Sequence, residues 1–243
     1  MVAASSLRRY QHAGKGQPVV ISSLHPAHRT GRTIFPSRVF DPSEVPRLLK
    51  DGHQARKIGK FVVKGARRGW PIFTLTLEER ATCPRSCKAW SFCFGNHMQG
   101  AERIVAGAEL EGVLWEELAA LQRRHARGFL IRLHILGDFY SLGYVRLWQR
   151  ALAAFPALHV FGFTARDPDA DPIGVLLWRM ANADWARFAI RFSGRAGPML
   201  ASQLMPDHHA EAIPCPAQQR DEICCASCGL CWNSRRSIAF AKH

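Results

Sequence analysis

The sequence predicts an α/β protein with a mostly parallel sheet, and three observations predict it. Strand-like runs alternate with helix-like runs from residue 71 onward. The helical segments between them run to about 12–25 residues, the length at which consecutive strands pair in parallel through right-handed crossovers. Conspicuous polar residues recur just after the strand-like runs, at the carboxyl ends where α/β sheets and barrels place their ligands. About six such strands suit a partial or closed parallel (βα)6-like barrel better than an antiparallel fold.

Taken in order, residues 1–35 are rich in Gly, Ser, His and Arg without a sustained period, and read as a basic, poorly ordered arm. Residues 36–243 read as one barrel-like domain. Pro71–Leu77 (PIFTLTL) alternates and predicts a strand. A long amphipathic helix is expected over about 101–126, with Ile104, Val105, Ala108, Val113, Leu114, Leu118 and Leu121 on one side. FLIRLHIL (129–136) is a strand ending in Gly137-Asp138, and a helix around Tyr144–Phe155 leads into the strand LHVFGFTA (158–165). Asp171 before Pro172 is a helix-opening signature. RFAIRFSG (187–194) is the next strand. A short helix near 199–204, a strand at 210–214 and the strand SIAFA (237–241) follow.

The chain has eight cysteines in two groups. Cys83, Cys87 and Cys93 follow the first strand with C-x3-C-x5-C spacing. Cys215, Cys224, Cys225, Cys228 and Cys231 form the second, cysteine-rich segment (215–231), with a C-x2-C-x2-C core. Short spacings let several thiolates converge, as a metal ion or an iron–sulfur cluster requires. Three ligands on a four-site cluster leave a position open, whereas four close the site. Adjacent Cys224 and Cys225 rarely bind one ion together, and the regular spacing selects Cys225. The even count also permits disulfides, but the first residues lack the apolar run of an export signal, so reduced thiols in a cytoplasmic protein are expected.

The formal net charge of +14 is uneven. Residues 1–70 carry 14 Lys/Arg against 3 Asp/Glu, and residues 71–243 carry 19 against 16. The basic arm could therefore attract nucleic acid or a phosphate-bearing substrate. No apolar stretch reaches membrane-spanning length, so no membrane partner is expected. The sequence contains no phosphate-loop, nucleophile-elbow or H-E-x-x-H motif.

TLTLEERATCPRSCKAWSFCFGN, HILGDFYS and CCASCGLCW resemble the gene product 88-like proteins of phages, plasmids and bacteria over about residues 40–243. More distantly, the chain is similar to the radical S-adenosylmethionine (SAM) enzymes. That resemblance implies a (βα)6 partial barrel, a 4Fe–4S cluster held by Cys83, Cys87 and Cys93, and SAM bound beside Gly137 and Asp138. It also implies an electron donor and cleavage of SAM to a 5′-deoxyadenosyl radical. Two departures stand out: the second spacing is three residues longer than in the family's C-x3-C-x2-C, and Leu136-Gly137-Asp138 keeps a single glycine.

Beside the resemblance stand simpler roles. Asp138 could instead cap the helix opening near Ser141. Thr164, Arg166, Ser193 and Arg195 end their strands, where Arg166 and Ser193 become candidate cofactor contacts and Arg166 and Arg195 candidates to grip a substrate carboxylate or phosphate; strand-end arginines equally serve in salt bridges. His134, inside a strand, reads as a hydrogen-bonded core residue. Cys215, Cys225, Cys228 and Cys231 would hold a second cluster or zinc. The alternative to an iron–sulfur enzyme is a zinc- or cluster-stabilised nucleic-acid-binding protein without catalysis.

Overall fold

A computed structural model describes residues 19–55, 57–205 and 207–241. In chain order the strands are β1 (Val39–Phe40), β2 (Lys50–Asp51), β3 (Ile72–Thr74), β4 (Arg103–Ile104), β5 (Phe129–Leu133), β6 (Leu158–Thr164), β7 (Phe188–Ser193), β8 (Ala201–Leu204), β9 (Ile213–Pro214) and β10 (Ile238–Phe240). The helices are α1 (Pro26–Thr30), α2 (Ala108–Arg124), α3 (Leu142–Ala154), α4 (Pro172–Ala183), α5 (Pro216–Gln219), α6 (Cys225–Cys228) and α7 (Leu230–Asn233). One sheet has the order β2-β3-β5-β6-β7-β8-β10-β9, and β1 pairs with β4 in a second. Only the β2–β3 pairing is antiparallel. The mostly parallel α/β fold is thus as expected, but the sheet is not closed: β2 and β9 are its two edges.

Period-two alternation gives the sheet two different faces. Phe129, Ile131 and Leu133 of β5, Leu158 and Val160 of β6, and Phe188, Ile190 and Phe192 of β7 pack against one face's helices. Those helices are α2 through Leu110, Leu114 and Leu118, α3 through Tyr144 and Trp148, and α4 through Ile173 and Leu177. Strands added in sequence order by right-handed crossovers bring all three helices to the same side. The alternate residues Leu130, Phe161 and Ala189 face the other way, onto Ile58, Val62, Ala226 and Trp232. The cysteine-rich segment therefore covers the face that the helices leave.

Helix ends follow local chemistry. Glu109 and Glu111 open α2 and Arg123 and Arg124 close it, as the helix dipole favours. The Ser141 hydroxyl accepts from Tyr144 N at 3.0 Å and the Asp171 carboxylate from Ile173 N at 2.8 Å, capping α3 and α4. No helix among the described residues is long and apolar enough to cross a membrane.

Three expectations are corrected. Residues 19–35 are not a poorly ordered tail: they contain α1 and bond to the first cysteine loop, while residues 1–18 lie outside the described residues. The helix expected over 101–126 starts only at Ala108. Arg103–Ile104 is β4 instead, with Ile104 between Phe40 and Leu77. Residues 201–204 are a strand, not a helix. ASQL has no β-branched residue to signal one, and its position between β7 and β10 decides the outcome.

Candidate metal and cofactor sites

The first cysteine group occupies a loop that leaves the sheet just beyond β3. Residues 75–77 still run beside the β5 exit, through Ile135 N to Leu75 O and Leu77 N to Leu136 O. The loop then turns back on itself: Cys87 N bonds to Pro84 O, Trp90 N to Cys87 O and Asn96 N to Cys93 O. Buried charges hold this shape. Arg103 is fully buried and donates from Nε to Glu79 at 2.7 Å, and from its other nitrogens to the carbonyls of Gly95, Met98 and Ala101. Glu78 accepts from Arg32 and from Thr33 N, tying residues 19–33 to the loop. Trp90 Nε1 and Arg85 both donate to His28 O.

The three thiols sense one another's charge. Burial pushes Cys83 well above the usual thiol range, and Asp138, Cys87 and Cys93 push the same way. Cys93 is raised to about 11, chiefly by burial. Arg80 works against these shifts. Its backbone N–H bonds to Cys83, and its guanidinium lowers Cys87 and Cys93. Its Nε donates to Trp90 O and its Nη2 to Asn96, while Nη1 is buried without a partner. Arg80 has φ +62°, a left-handed conformation uncommon for a non-glycine residue.

Asp138 stands beside this loop and is buried. Its Oδ1 accepts from Phe139 N and Thr164 Oγ1, both at 2.7 Å, and its Oδ2 from Ala165 N at 2.7 Å. Burial raises its pKa to about 6 in spite of these donors and Arg166. Ser141, not Asp138, caps α3. Gly137 has φ +87°, and a side chain there would meet Thr82 Oγ1 at 2.6 Å and Leu77 Cβ at 2.7 Å. That crowding explains the glycine.

The other strand-end candidates are engaged structurally. Arg166 donates to Phe139 O, to Thr82 O and to Asp171 at 3.1 Å, so each of its nitrogens is used. Arg195 pairs with Asp169. Ser193 is exposed, with its hydroxyl 2.9 Å from that of Ser202. His134 Nε2 lies 3.0 Å from the Tyr144 hydroxyl, in the core as expected.

In the second group, Cys215, Cys225, Cys228 and Cys231 line one small cavity with Ile238 and Trp232. Backbone bonds from Cys225 N to Lys57 O and Cys215 N to Ala239 O anchor it. Cys224 is the N-cap of α6 beside Ser227 and packs near Gly59, and it does not line the cavity. Burial and the neighbouring thiols raise Cys225 well above the ordinary value and Cys231 to about 11. Arg132 and Arg191, absent from the sequence expectations, stand close enough to lower both Cys231 and, for Arg132, Cys225.

Among the described residues no group of three or more His, Cys, Asp or Glu side chains is arranged so that it could hold a metal ion. The buried polar partners of the first loop were not marked in the sequence by any motif. The adjacent Glu78-Glu79-Arg80 run directly before Cys83 is the one signal that could have been followed. Comparison with family models, with curated proteins and with solved structures gives no match.

Proposed function

We propose that this chain is an iron–sulfur enzyme of the radical-SAM type on a partial (βα)6 barrel. It would have an open cluster site at Cys83, Cys87 and Cys93 and a closed thiolate site, cluster or zinc, at Cys215, Cys225, Cys228 and Cys231. The observation that carries the reading is one corner of the molecule. Three mutually interacting thiols and the buried Asp138 carboxylate share the carboxyl ends of β3, β5 and β6, where α/β folds bind ligands. A curved sheet is supported by Phe163 on β6 and Phe240 on β10, whose rings are 5.3 Å apart. Three strand spacings separate β6 from β10, about 14 Å on a flat sheet.

The donor set suits a thiolate-bound group. Buried thiols that repel one another as anions need a cation among them, and each would release its proton on binding. Ligands of a cluster each take a different iron, so they stand farther apart than ligands that share one ion. When bound, the reduced cluster with SAM supplies one-electron cleavage of a sulfonium bond. The chain's own residues bind and orient. Gly137 lets the chain pass close to Thr82, and Asp138, fixed by three donors, keeps one acceptor position on Oδ2 for an ammonium group. Trp90 and residues 19–33 pack over the loop and limit water.

The test is metal and sulfide analysis of anaerobically purified protein, followed by calorimetry with SAM. Brown protein with iron and sulfide is expected, and Cys83→Ala, Cys87→Ala and Cys93→Ala should each lose one cluster's iron. Zinc alone, without sulfide, would transfer the chain to the nucleic-acid-binding alternative. Cluster-loaded protein that ignores SAM would end the enzymatic part.

A further inference from the structure

Outside the two cysteine groups, one basic projection of the molecule is left without partners. Residues 57–70 (KIGKFVVKGARRGW) carry five Lys/Arg and no Asp or Glu. They form a hairpin that leads into β3. Val62 N bonds to Trp70 O at 2.9 Å, Gly69 N to Val62 O at 2.8 Å and Ile72 N to Lys60 O at 2.9 Å. Gly65 and Gly69 turn the hairpin with φ +77° and +83°, values that favour glycine. Its inner side is fixed. Val62 is buried with Ile58 and Trp232, and the Trp70 ring lies 4.8 Å from that of His159. Arg67 donates to Ala186 O at 2.7 Å and to Asn233 at 3.0 Å.

The outer side has no such engagement. Lys60, Lys64 and Arg68 are exposed, and the ion pairs among the described residues include none of them. Period two turns Phe61 and Val63 away from the buried Val62, and they are 46% and 57% exposed. Lys60 Nζ stands over the Phe61 ring, 5.3 Å from its centre. An aromatic ring and three unpaired cations are thus presented together on a rigid support.

We propose that this hairpin is a binding face for single-stranded nucleic acid, with phosphates on Lys60, Lys64 and Arg68 and a base stacked on Phe61. Neither cysteine group is needed for it. Such a strand alternates anionic phosphates with flat bases, and stacking on an aromatic side chain is open to every base. A duplex keeps its bases stacked on one another and offers the ring no free face. A membrane surface is disfavoured by the order of residues. The tip, Lys64-Gly65-Ala66-Arg67-Arg68, is charged and the apolar pair lies behind it, whereas a membrane-bound segment leads with its apolar face. An acidic peptide supplies charge but no base for Phe61.

The experiment titrates the full chain into a labelled oligothymidylate of about 12 nucleotides at several salt concentrations, read by fluorescence anisotropy. The triple variant Lys60→Gln/Lys64→Gln/Arg68→Gln should reduce the log–log salt slope by about 2, from three phosphates at about 0.7 each. Removing the same charge beyond the other face of the sheet, with Arg123→Gln/Arg124→Gln/Arg127→Gln, should leave the slope near wild type. Phe61→Ala should weaken binding by about 5- to 10-fold, the low end for one stacked base, and Phe61→Trp should restore it. The same titrations with oligouridylate tell RNA from DNA, and the hairpin variant should flatten the slope for whichever strand binds. Circular dichroism checks folding. Should the triple variant not fold, Lys64→Gln alone, with an expected slope loss of about 0.7, decides. Absence of binding, an unchanged slope in the hairpin variant, or equal losses in the two triple variants overturns the face. A silent Phe61→Ala together with equally tight binding of duplex overturns the single-strand assignment. Preference for phosphatidylserine vesicles or for oligoglutamate over the oligonucleotide overturns the partner.

Discussion

The first cysteine group sits on a loop fixed by charges of both signs, while the second sits on a sheet face where Arg191 is buried without a carboxylate partner. Around Cys83, Cys87 and Cys93, Glu79 answers Arg103, Glu78 answers Arg32, and Asp138 stands near Arg166. The loop's shape is set by side chains, Arg80 among them through Trp90 O and Asn96. Around Cys215, Cys225, Cys228 and Cys231 the backbone sets the shape, through Lys57 O and Ala239 O, and the buried Arg191 donates only to carbonyls. The difference teaches where each shape comes from: buried ion pairs between side chains hold the first region, and backbone bonds to the sheet and its neighbours hold the second.

The largest effect should come from breaking the balance of the first region. Arg103 and Glu79 are 0% and 1% exposed, and removing one partner of a buried pair costs about 3–5 kcal/mol. Glu79→Gln should lower unfolding free energy in denaturant by that amount and release metal from the first group while the second keeps its own. Equal loss from both groups would erase the distinction between the regions.

The next effect is in acid. His134 follows β5 toward Gly137, and burial with Arg132 depresses its pKa to about 3. The unfolded chain binds a proton near pH 6.5 that the folded chain refuses. The His134 contribution is therefore intact above pH 6.5 and falls by about 1.4 kcal/mol per pH unit as pH drops toward 3, while Asp138, raised to about 6, works the other way. Denaturation at several pH values should show this slope as the difference between wild type and His134→Gln. Arg132→Met should end the decline at a higher pH and reduce its total, because removal of that positive charge raises the folded-state pKa while the unfolded chain still titrates near 6.5. An unchanged slope in both variants would remove His134 as its source.

A smaller effect separates binding from capping in the first region. Ser141→Ala should cost about 1 kcal/mol, the value of an N-cap, and leave ligand binding intact. Asp138→Asn should keep helix α3 and weaken any bound ammonium. The reverse pattern would return Asp138 to a capping role.

The smallest effect concerns the second group. Cys224→Ser should stay within about 0.5 kcal/mol of wild type and keep its metal, whereas Cys225→Ser should lose it. Metal loss on Cys224→Ser, measured by elemental analysis, would reverse the ligand choice.

Much of this arrangement was legible in the sequence because it follows from period and spacing. The alternation of Phe129–Leu133 and Leu158–Thr164, the Asp171-Pro172 start and the grouping of cysteines are local signals. What escaped depends on contacts between distant residues. Arg103 reads as the start of an amphipathic helix until Glu79 draws it into the core. Residues 19–33 look unstructured until the cysteine loop supplies their partners. Arg132 and Arg191 look like ordinary strand residues, since sequence alone does not say which face of the sheet lacks helices. ASQL became a strand because two neighbours needed one between or beside them.

The place of β10 between β8 and β9 has a consequence for the order in which the molecule is made. Synthesis delivers residues 83–103 and their partners 28–33 long before residues 238–240, and domains tend to fold as they emerge. The loop carrying Cys83, Cys87 and Cys93 can settle while the ribosome is still at work on the sheet. Cys215 gains its anchor on Ala239 only when β10 slides between two strands already waiting for it. The second group therefore depends on the last strand of the sheet in a way the first does not.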